Sequence, residues 1–171
     1  MVKIGLMIKA NLKNVSKLYP HEPEQFCWPL KVRCTGCGEE DQNWHLISQD
    51  EVVELANGEA HFLYKCKCCS RDNHMSILPS NHVNGKAKKD KMNVETVYLD
   101  EDDEKFKTVI CFDCRGLELT DFEPRDGWAV QSGKKVFEDV DLSEKEWVEY
   151  NDVDGMPVEI TNIEHKFITV K

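Results

Sequence analysis

The sequence lacks the features that place a chain in a membrane or in the secretory pathway. No apolar run approaches the length that spans a bilayer. The first nine residues, MVKIGLMIK, are too short and too interrupted by lysine for a signal peptide. We therefore expect no membrane partner and a cytoplasmic location that can extend to the nucleus. In such a reducing compartment cysteines stay reduced, which favours metal binding over disulfides.

Signals for common enzymes and for nucleic-acid binding are also missing. The chain has no Ser–His–Asp order, no P-loop and no glycine-rich dinucleotide motif. No pair of carboxylates stands in an apolar setting that would raise a pKa. The formal net charge of −10 repels phosphate, so we do not expect sequence-independent binding to nucleic acid. These absences predict a protein that is not an enzyme.

Long helical patterns are scarce, and short stretches with a period of two prevail. Ile4, Leu6 and Ile8 alternate with polar residues, which is typical of a half-buried strand. Further strands are predicted at residues 26–33, 44–47, 62–66, 75–77, 96–100, 106–112, 117–122, 128–130 and 158–170, the last with a bulge near Asn162. Many short strands joined by turns indicate an all-β fold, a sandwich or a barrel-like sheet, with little helix.

Three segments interrupt this pattern. Proline-containing residues 19–23 are expected to break the chain after the first strand. Ser48 and Glu51 have capping-box spacing, which predicts a short helix or a loop. Ser143 and Glu146 have the same spacing, and there we expect one or two helical turns.

Cysteines form the most specific pattern in the chain. Eight cysteines in 171 residues would produce roughly 0.4 C-x2-C pairs by chance, and the sequence has three. Two of the pairs are Cys34/Cys37 and Cys66/Cys69, separated by 28 residues. Zinc prefers four soft ligands in a tetrahedron, and a tight turn can aim both sulfurs of a C-x2-C pair at one ion. We predict a closed, structural site with one zinc per chain, held by Cys34, Cys37, Cys66 and Cys69.

The residues around these pairs agree with a thiolate site. Gly38 follows the first pair at a position that often needs a positive φ. Four thiolates and one divalent ion leave a net charge of about −2. Basic residues that would offset this charge flank both pairs: Lys31, Arg33, Lys65, Lys67 and Arg71.

The remaining cysteines leave alternatives open. Cys111/Cys114 could bind a second metal together with Cys27 and a histidine, could exchange disulfides, or could be two separate cysteines of which at least one is buried. Strand alternation places this pair on opposite faces, which is poor geometry for chelation. Cys27 is most simply a small apolar residue, Cys68 could replace a neighbouring ligand, and His74 is the one histidine near enough to compete.

Length and charge predict one zinc-binding β unit over residues 1–171. An arrangement in two similar β lobes is the alternative, with residues 1–80 carrying the zinc site and residues 106–171 forming the second lobe. A shift of 45 residues places Cys66/Cys69 on Cys111/Cys114 and Pro79 on Pro124, which suggests a duplication. Residues 81–105 carry a lysine block and then an acidic block, so we expect a charged, solvated loop.

Several segments together resemble the eukaryotic family of CXXC motif containing zinc binding proteins. The matching pieces, in chain order, are Cys34-Thr35-Gly36-Cys37-Gly38 with Trp44, Lys65-Cys66-Lys67-Cys68-Cys69, Phe106-Lys107-Thr108, Cys114-Arg115-Gly116-Leu117-Glu118, Asp121-Phe122-Glu123-Pro124 and Glu144-Lys145-Glu146-Trp147 with Tyr150. The resemblance implies a single zinc on Cys34, Cys37, Cys66 and Cys69 in an all-β protein without an established reaction. The family pattern includes the equivalent of Cys114 but not those of Cys27, Cys68 or Cys111.

These observations lead to one preferred function and two alternatives. The preferred one is a non-enzymatic, zinc-stabilised binding or adaptor module that is a monomer and has an unidentified protein partner. The first alternative is a nucleic-acid-binding zinc module, supported by the basic residues beside the cysteines. The second is a thiol redox protein that uses Cys111 and Cys114.

Overall fold

The computed structural model describes residues 2–78 and 95–170. These residues form fifteen strands and one turn of 3-10 helix, Asp100–Asp102, which confirms the predicted all-β class with little helix. The strands are β1 (Val2–Lys13), β2 (Lys17–Pro20), β3 (Trp28–Cys34), β4 (His45–Ile47), β5 (Val53–Leu55), β6 (Gly58–Ala60), β7 (Phe62–Lys65), β8 (Asp72–Leu78), β9 (Tyr98–Leu99), β10 (Lys107–Arg115), β11 (Leu117–Phe122), β12 (Trp128–Ser132), β13 (Lys135–Val140), β14 (Trp147–Asn151) and β15 (Met156–Val170).

The described strands are organised into one large sheet and three smaller ones. The large sheet has six strands in the order β14-β15-β1-β10-β8-β7. A three-stranded sheet has the order β11-β3-β4, a four-stranded sheet has the order β13-β12-β2-β9, and β5 pairs with β6. All these pairings are antiparallel. Consecutive strands form hairpins at the sheet edges, whereas pairings such as β1 with β15 and β3 with β11 join strands that are far apart in the chain.

Strand β1 is central to the large sheet and follows the predicted alternation. Ile4, Leu6, Ile8 and Ala10 are buried, and the strand pairs with β15 on one side and β10 on the other. The register between β1 and β15 shifts after Lys9, and Asn162 lies in the left-handed region with a φ of +52°. The bulge predicted near Asn162 is therefore confirmed.

Aromatic side chains pack between the three-stranded sheet and the four-stranded sheet. Trp28 from β3 and Trp128 from β12 are both almost fully buried, and their ring centroids are 6.0 Å apart. Phe26 packs edge-on against Trp28 at 4.6 Å and against Trp128 at 5.0 Å. Such pairs contribute about 0.5–1.5 kcal/mol each beyond the area they bury. They anchor β3, whose far end carries the first cysteine pair.

The helix predicted at Ser143 is wrong, and at Ser48 the loop alternative is confirmed instead of the helix. Ser48 begins a turn instead, in which its hydroxyl donates to the Glu24 carbonyl, and the chain continues into the β5–β6 hairpin with Asn57 at its tip. At Ser143 the backbone N–H donates to the Asp141 side chain at 2.9 Å, and β14 begins four residues later. Serine satisfies a nearby backbone group in turns as readily as at a helix start, so the spacing alone did not identify a helix.

Two short strands, β2 and β9, pair with each other. Strand β2 lies where a break was predicted, and its Pro20 ends the strand opposite Trp128, a position that proline tolerates. Strand β9 confirms the short strand expected within residues 96–100. Residues 79–94, with Pro79 and the lysine block of the predicted loop, lie outside the described residues. The large sheet takes strands from both halves of the chain, and the division into two lobes stays a prediction.

Helix content also bears on the membrane question. Among the described residues, no helix has the length and apolar character needed to cross a bilayer.

Candidate metal centre

The first cysteine pair lies in a tight turn at the end of β3. Cys34 is the last residue of that strand, and its N–H donates to the Glu39 carbonyl at 2.9 Å. The Gly38 N–H then donates to the Cys34 carbonyl at 2.8 Å. Gly38 has a φ of +80°, as its place after the second cysteine predicted. We call residues 34–39 the first knuckle.

The second cysteine pair repeats this turn directly after β7. The Cys66 N–H donates to the Arg71 carbonyl at 2.9 Å, and the Ser70 N–H donates to the Cys66 carbonyl at 2.9 Å. Ser70 occupies the position that corresponds to Gly38, with a φ of +62°. We call residues 66–71 the second knuckle. The two knuckles follow strands of different sheets. Strand β3 belongs to the three-stranded sheet, and β7 belongs to the six-stranded sheet.

The two knuckles bring four sulfurs into one cluster. The Sγ atoms of Cys34, Cys37, Cys66 and Cys69 all lie within 4.8 Å of one another. Cys34 Sγ is 3.8 Å from Cys69 Sγ, and Cys37 Sγ is 3.6 Å from Cys66 Sγ. A tetrahedral zinc with Zn–S bonds of about 2.3 Å requires sulfurs about 3.8 Å apart. The four residues therefore fit a metal ion, and each knuckle contributes one buried cysteine and one exposed cysteine.

Hydrogen bonds from the first knuckle favour ionisation of Cys34. Burial opposes its charged form, but the N–H groups of Cys37 and Gly36 and the Asn73 amide outweigh burial and lower the pKa of Cys34 to about 6. The Asn73 Nδ2 lies 3.5 Å from this sulfur. At Cys37 the Glu39 N–H favours the thiolate, yet burial and the neighbouring sulfurs raise its pKa to about 12. A divalent cation would reverse this mutual repulsion and hold the thiolates together.

Asn73 and Gly116 support the first knuckle from another part of the chain. The Thr35 N–H donates to the Gly116 carbonyl at 3.0 Å, and Gly116 has a φ of +78° in the turn between β10 and β11. A Cβ at Gly116 would lie 2.1 Å from Asn73 Oδ1. Glycine is therefore required at 116 for two reasons, the backbone angle and the close approach of Asn73. Cysteine spacing does not reveal this support, because Asn73 and Gly116 are distant from the first knuckle along the chain.

A second group that the spacing did not reveal surrounds Asp41, just beyond the first knuckle. Asp41 Oδ1 accepts from the Asn43 N–H at 2.9 Å, and Asp41 Oδ2 lies 3.1 Å from His45 Nε2. Although burial disfavours the charged form, these partners hold the pKa of Asp41 below its usual value. Burial, with Asp41 nearby, raises the pKa of the Tyr64 hydroxyl to about 12. The group connects the loop after the first knuckle to β7.

The flanking basic residues have different surroundings. Arg71 lies across the first knuckle, where a Cβ on Gly36 would be 2.9 Å from one of its terminal nitrogens. Arg33 instead forms ion pairs with Glu40 at 3.7 Å and Glu118 at 3.4 Å. Lys31 lies over the Trp44 ring, 4.8 Å from its centroid. Among these three cations, Arg71 is the one that lies against a knuckle, beside Gly36.

The other cysteines lie apart from the four-sulfur cluster. Cys111 and Cys114 are both buried in β10, opposite Gly5 and Val2 of β1. Burial raises the pKa of both thiols, that of Cys114 to about 12. Cys68 is exposed between the ligands of the second knuckle, and Cys27 is also exposed, away from the cluster. Within residues 2–78 and 95–170, the compact group of metal-ligating side chains is the one on the knuckles.

The fold and this cluster define a class of protein, an all-β chain in which two C-x2-C turns from separate sheets could hold one metal ion. A family model described as "CXXC motif containing zinc binding protein, eukaryotic" matches residues 5–168. The chain belongs to this family, which confirms the resemblance. Zinc binding is the property that the family's name implies.

Individual relatives match over almost the whole length. A UPF0587 protein of Drosophila melanogaster is 40% identical over 176 residues, covering 100% of this chain and 99% of its own length. The CXXC motif containing zinc binding protein of Bos taurus is 40% identical over 173 residues, with 98% and 99% coverage. The crystal structure of C1orf123 matches with a TM-score of 0.87 and 36% identity, over 98% of this chain and 99% of that chain.

Proposed function

We propose that this chain is a zinc-stabilised, non-enzymatic binding or adaptor protein whose one zinc is held by Cys34, Cys37, Cys66 and Cys69. The observation that carries the proposal is the cluster of four sulfurs, with separations of 3.6 and 3.8 Å that suit a tetrahedral ion. Membership in a family named for zinc binding supports zinc over other ions.

The placement of the site argues for a structural role. The zinc would join β3 of one sheet to β7 of another, at a point where chain segments 32 residues apart must meet. Four thiolates leave no position for a water molecule, so the ion has no means to activate one for hydrolysis. Zinc is thus proposed to hold the two sheets together and to take no part in a reaction.

Elemental analysis tests the metal content most directly. Protein purified after expression with ample zinc should contain about one zinc per chain. A variant in which all four ligands are serine should contain none. Two zinc ions per chain would indicate a further site, and none in the unmodified protein would refute the proposal.

An adaptor role predicts a protein partner that depends on the folded state. A pull-down from cell extract, with the variant lacking all four ligand cysteines as control, should identify proteins that bind only the zinc-loaded chain. Fractionation of cells would test the cytoplasmic or nuclear location, and light scattering would test the monomer. Comparable recovery with both proteins would count against a folded binding surface.

The two alternatives have less support. For the thiol redox alternative, both Cys111 and Cys114 are buried and have raised thiol pKa values, whereas redox cysteines are accessible and easily ionised. For the nucleic-acid alternative, Arg33 already pairs with two carboxylates. An insulin-reduction assay and salt-dependent retention on RNA would test these alternatives.

A further inference from the structure

The most exposed apolar side chains of the described residues lie together at one edge of the large sheet. Val148 is 61% exposed, Tyr150 is 57% exposed and Val153 is 63% exposed. The first two are in β14, and Val153 is in the turn that connects β14 to β15. Single exposed apolar residues are ordinary, but a group of them on one short hairpin marks a contact surface. We call Val148, Tyr150 and Val153 the β14 patch.

Strand β14 also has an open edge. It is the terminal strand of the six-stranded sheet and pairs only with β15 among residues 2–78 and 95–170. Its five residues, WVEYN, contain neither proline nor lysine, the residues that commonly protect such an edge. An exposed edge presents backbone N–H and C=O groups to which another strand can hydrogen-bond.

The hairpin that carries this edge is held in place on its other side. Asn151 is fully buried, and its amide donates to the Ser132 carbonyl at 2.8 Å. Asp154 accepts from the Lys134 N–H at 2.9 Å, and Phe137 packs on Trp147 with ring centroids 5.1 Å apart. The β14 patch is therefore preformed, and binding there would require little ordering.

Charge selects the kind of strand that this edge can accept. Residues 134–159 contain nine acidic residues and three basic residues, Lys134, Lys135 and Lys145, for a net charge of −6. Lys135 forms an ion pair with Asp152. Val148 of β14 lies opposite Glu159 of β15, and Glu159 in turn lies opposite Lys13 of β1. A second copy of this chain would place two such acidic edges side by side, which costs energy. A lysine- or arginine-rich strand would be attracted instead.

We propose that the β14 edge binds a basic, extended segment of a partner protein, which adds to the large sheet as a seventh strand. Alternate side chains of the added strand would contact Val148 and Tyr150, and its basic residues would face the surrounding carboxylates. This inference rests on the proposed adaptor function and names the surface and the chemistry of the partner.

A labelled nine-residue peptide of alternating lysine and valine is a suitable probe for fluorescence anisotropy with the full, zinc-loaded chain. We expect binding that weakens at high salt. A peptide of the same sequence with N-methyl groups on alternate residues keeps the charge but cannot form the ladder, and it should bind roughly tenfold more weakly or worse. Equal binding of both peptides, or no binding of the first, would overturn the proposal.

Two variants locate the site. The double substitution Val148→Lys with Tyr150→Lys should weaken binding at least roughly tenfold. The matched control is Leu46→Lys with Leu63→Lys, which adds the same two charges. Leu46 is 52% exposed on β4 and Leu63 is 47% exposed on β7, the opposite edge strand of the large sheet, so this variant should bind like the unmodified chain. Equal weakening by both would show that added charge alone is responsible and would refute the site.

Separate measurements distinguish this inference from the proposed function. Each variant should retain one zinc and its melting temperature, so that lost peptide binding cannot be attributed to unfolding. A chain that keeps its zinc and its pull-down partner after the β14 substitutions would remain an adaptor, but one that uses another surface. A self-associated protein whose dimer dissociates on Val148→Lys would identify a second copy as the occupant and refute the basic partner.

Discussion

The two knuckles have the same backbone hydrogen bonds but differ in what surrounds them. In each, the first cysteine donates to a carbonyl five residues ahead and accepts from an N–H four residues ahead. The first knuckle uses Gly38 at the left-handed position and has Asn73 and Gly116 as supports from distant strands. The second uses Ser70 there. Local turn chemistry thus repeats, whereas among the described residues the hydrogen bond from Asn73 to a cysteine sulfur and the one accepted by Gly116 are made at the first knuckle.

The different surroundings indicate that contacts at the first knuckle do most to orient the metal ligands. Cys34 receives hydrogen bonds from its own turn and from Asn73, which belongs to the other sheet. Contacts of this kind around metal ligands orient them and tune their affinity. We therefore expect changes around the first knuckle to affect zinc binding more than equivalent changes around the second.

The largest effect should come from the buried ligand of either knuckle. Cys34→Ser and Cys66→Ser each leave three thiols, and structural zinc contributes about 10–16 kcal/mol in small peptides. Because this chain has a core of its own, we expect a loss of several kcal/mol, equivalent to a fall in melting temperature of about 10 °C or more, with zinc lost. Calorimetry and elemental analysis on the same samples would measure both. Cys111→Ser is the control and should keep its zinc; loss of zinc there with retention in Cys66→Ser would mean that the wrong pair was assigned.

The next largest effect is expected at two glycines with nearly equal φ, Gly38 and Gly116. Comparing them separates the cost of backbone strain from the cost of a steric clash. Gly38→Ala has open space around the new Cβ, so only the left-handed angle of +80° opposes it, at a cost of about 1–2 kcal/mol. Gly116→Ala adds the contact with Asn73, and we expect about 2–4 kcal/mol. Denaturant unfolding of both variants tests this order. Adding Asn73→Ala to Gly116→Ala should restore part of the loss, and strictly additive effects would show that Asn73 is not the obstacle.

A smaller effect is expected from Asn73 alone. Asn73→Ala removes the amide that donates to Cys34 Sγ, so the Cys34 thiolate is less favoured and zinc affinity should fall about tenfold or more. Competition with a chromogenic chelator measures this change. Asn43→Ala is the control, because its amide donates to Asp41 and to no sulfur. Unchanged zinc affinity in Asn73→Ala would show that Asn73 does not support zinc binding at the first knuckle.

The smallest effect tests the left-handed serine of the second knuckle. Ser70→Gly relieves a φ of +62°, and we expect a gain of about 0.5–1 kcal/mol in the free energy of unfolding. If Ser70→Gly destabilises the chain, its hydroxyl or side chain has a role that the turn geometry does not explain.

The alternation of apolar and polar residues predicted the long strands best. In β1 the alternation of apolar residues spans the strand and agrees with the buried face, and in β15 even the bulge was visible. The two capping boxes misled because a serine and a glutamate three residues apart stabilise a helix only when no strand pairing competes. Residues 147–151 pair with β15 instead, and Val53–Leu55 pairs with β6.

The sequence by itself determined the four thiols and the turns that present them, because a C-x2-C turn requires only local hydrogen bonds and one left-handed residue. It also determined the all-β class through its period of two. The tertiary structure decided which sheets the knuckles connect, that Asn73 and Gly116 support the first of them, and that β14 of the acidic hairpin is the terminal strand of its sheet among the described residues. Those features depend on residues far apart in the chain, and their contacts exist only after the sheets have packed.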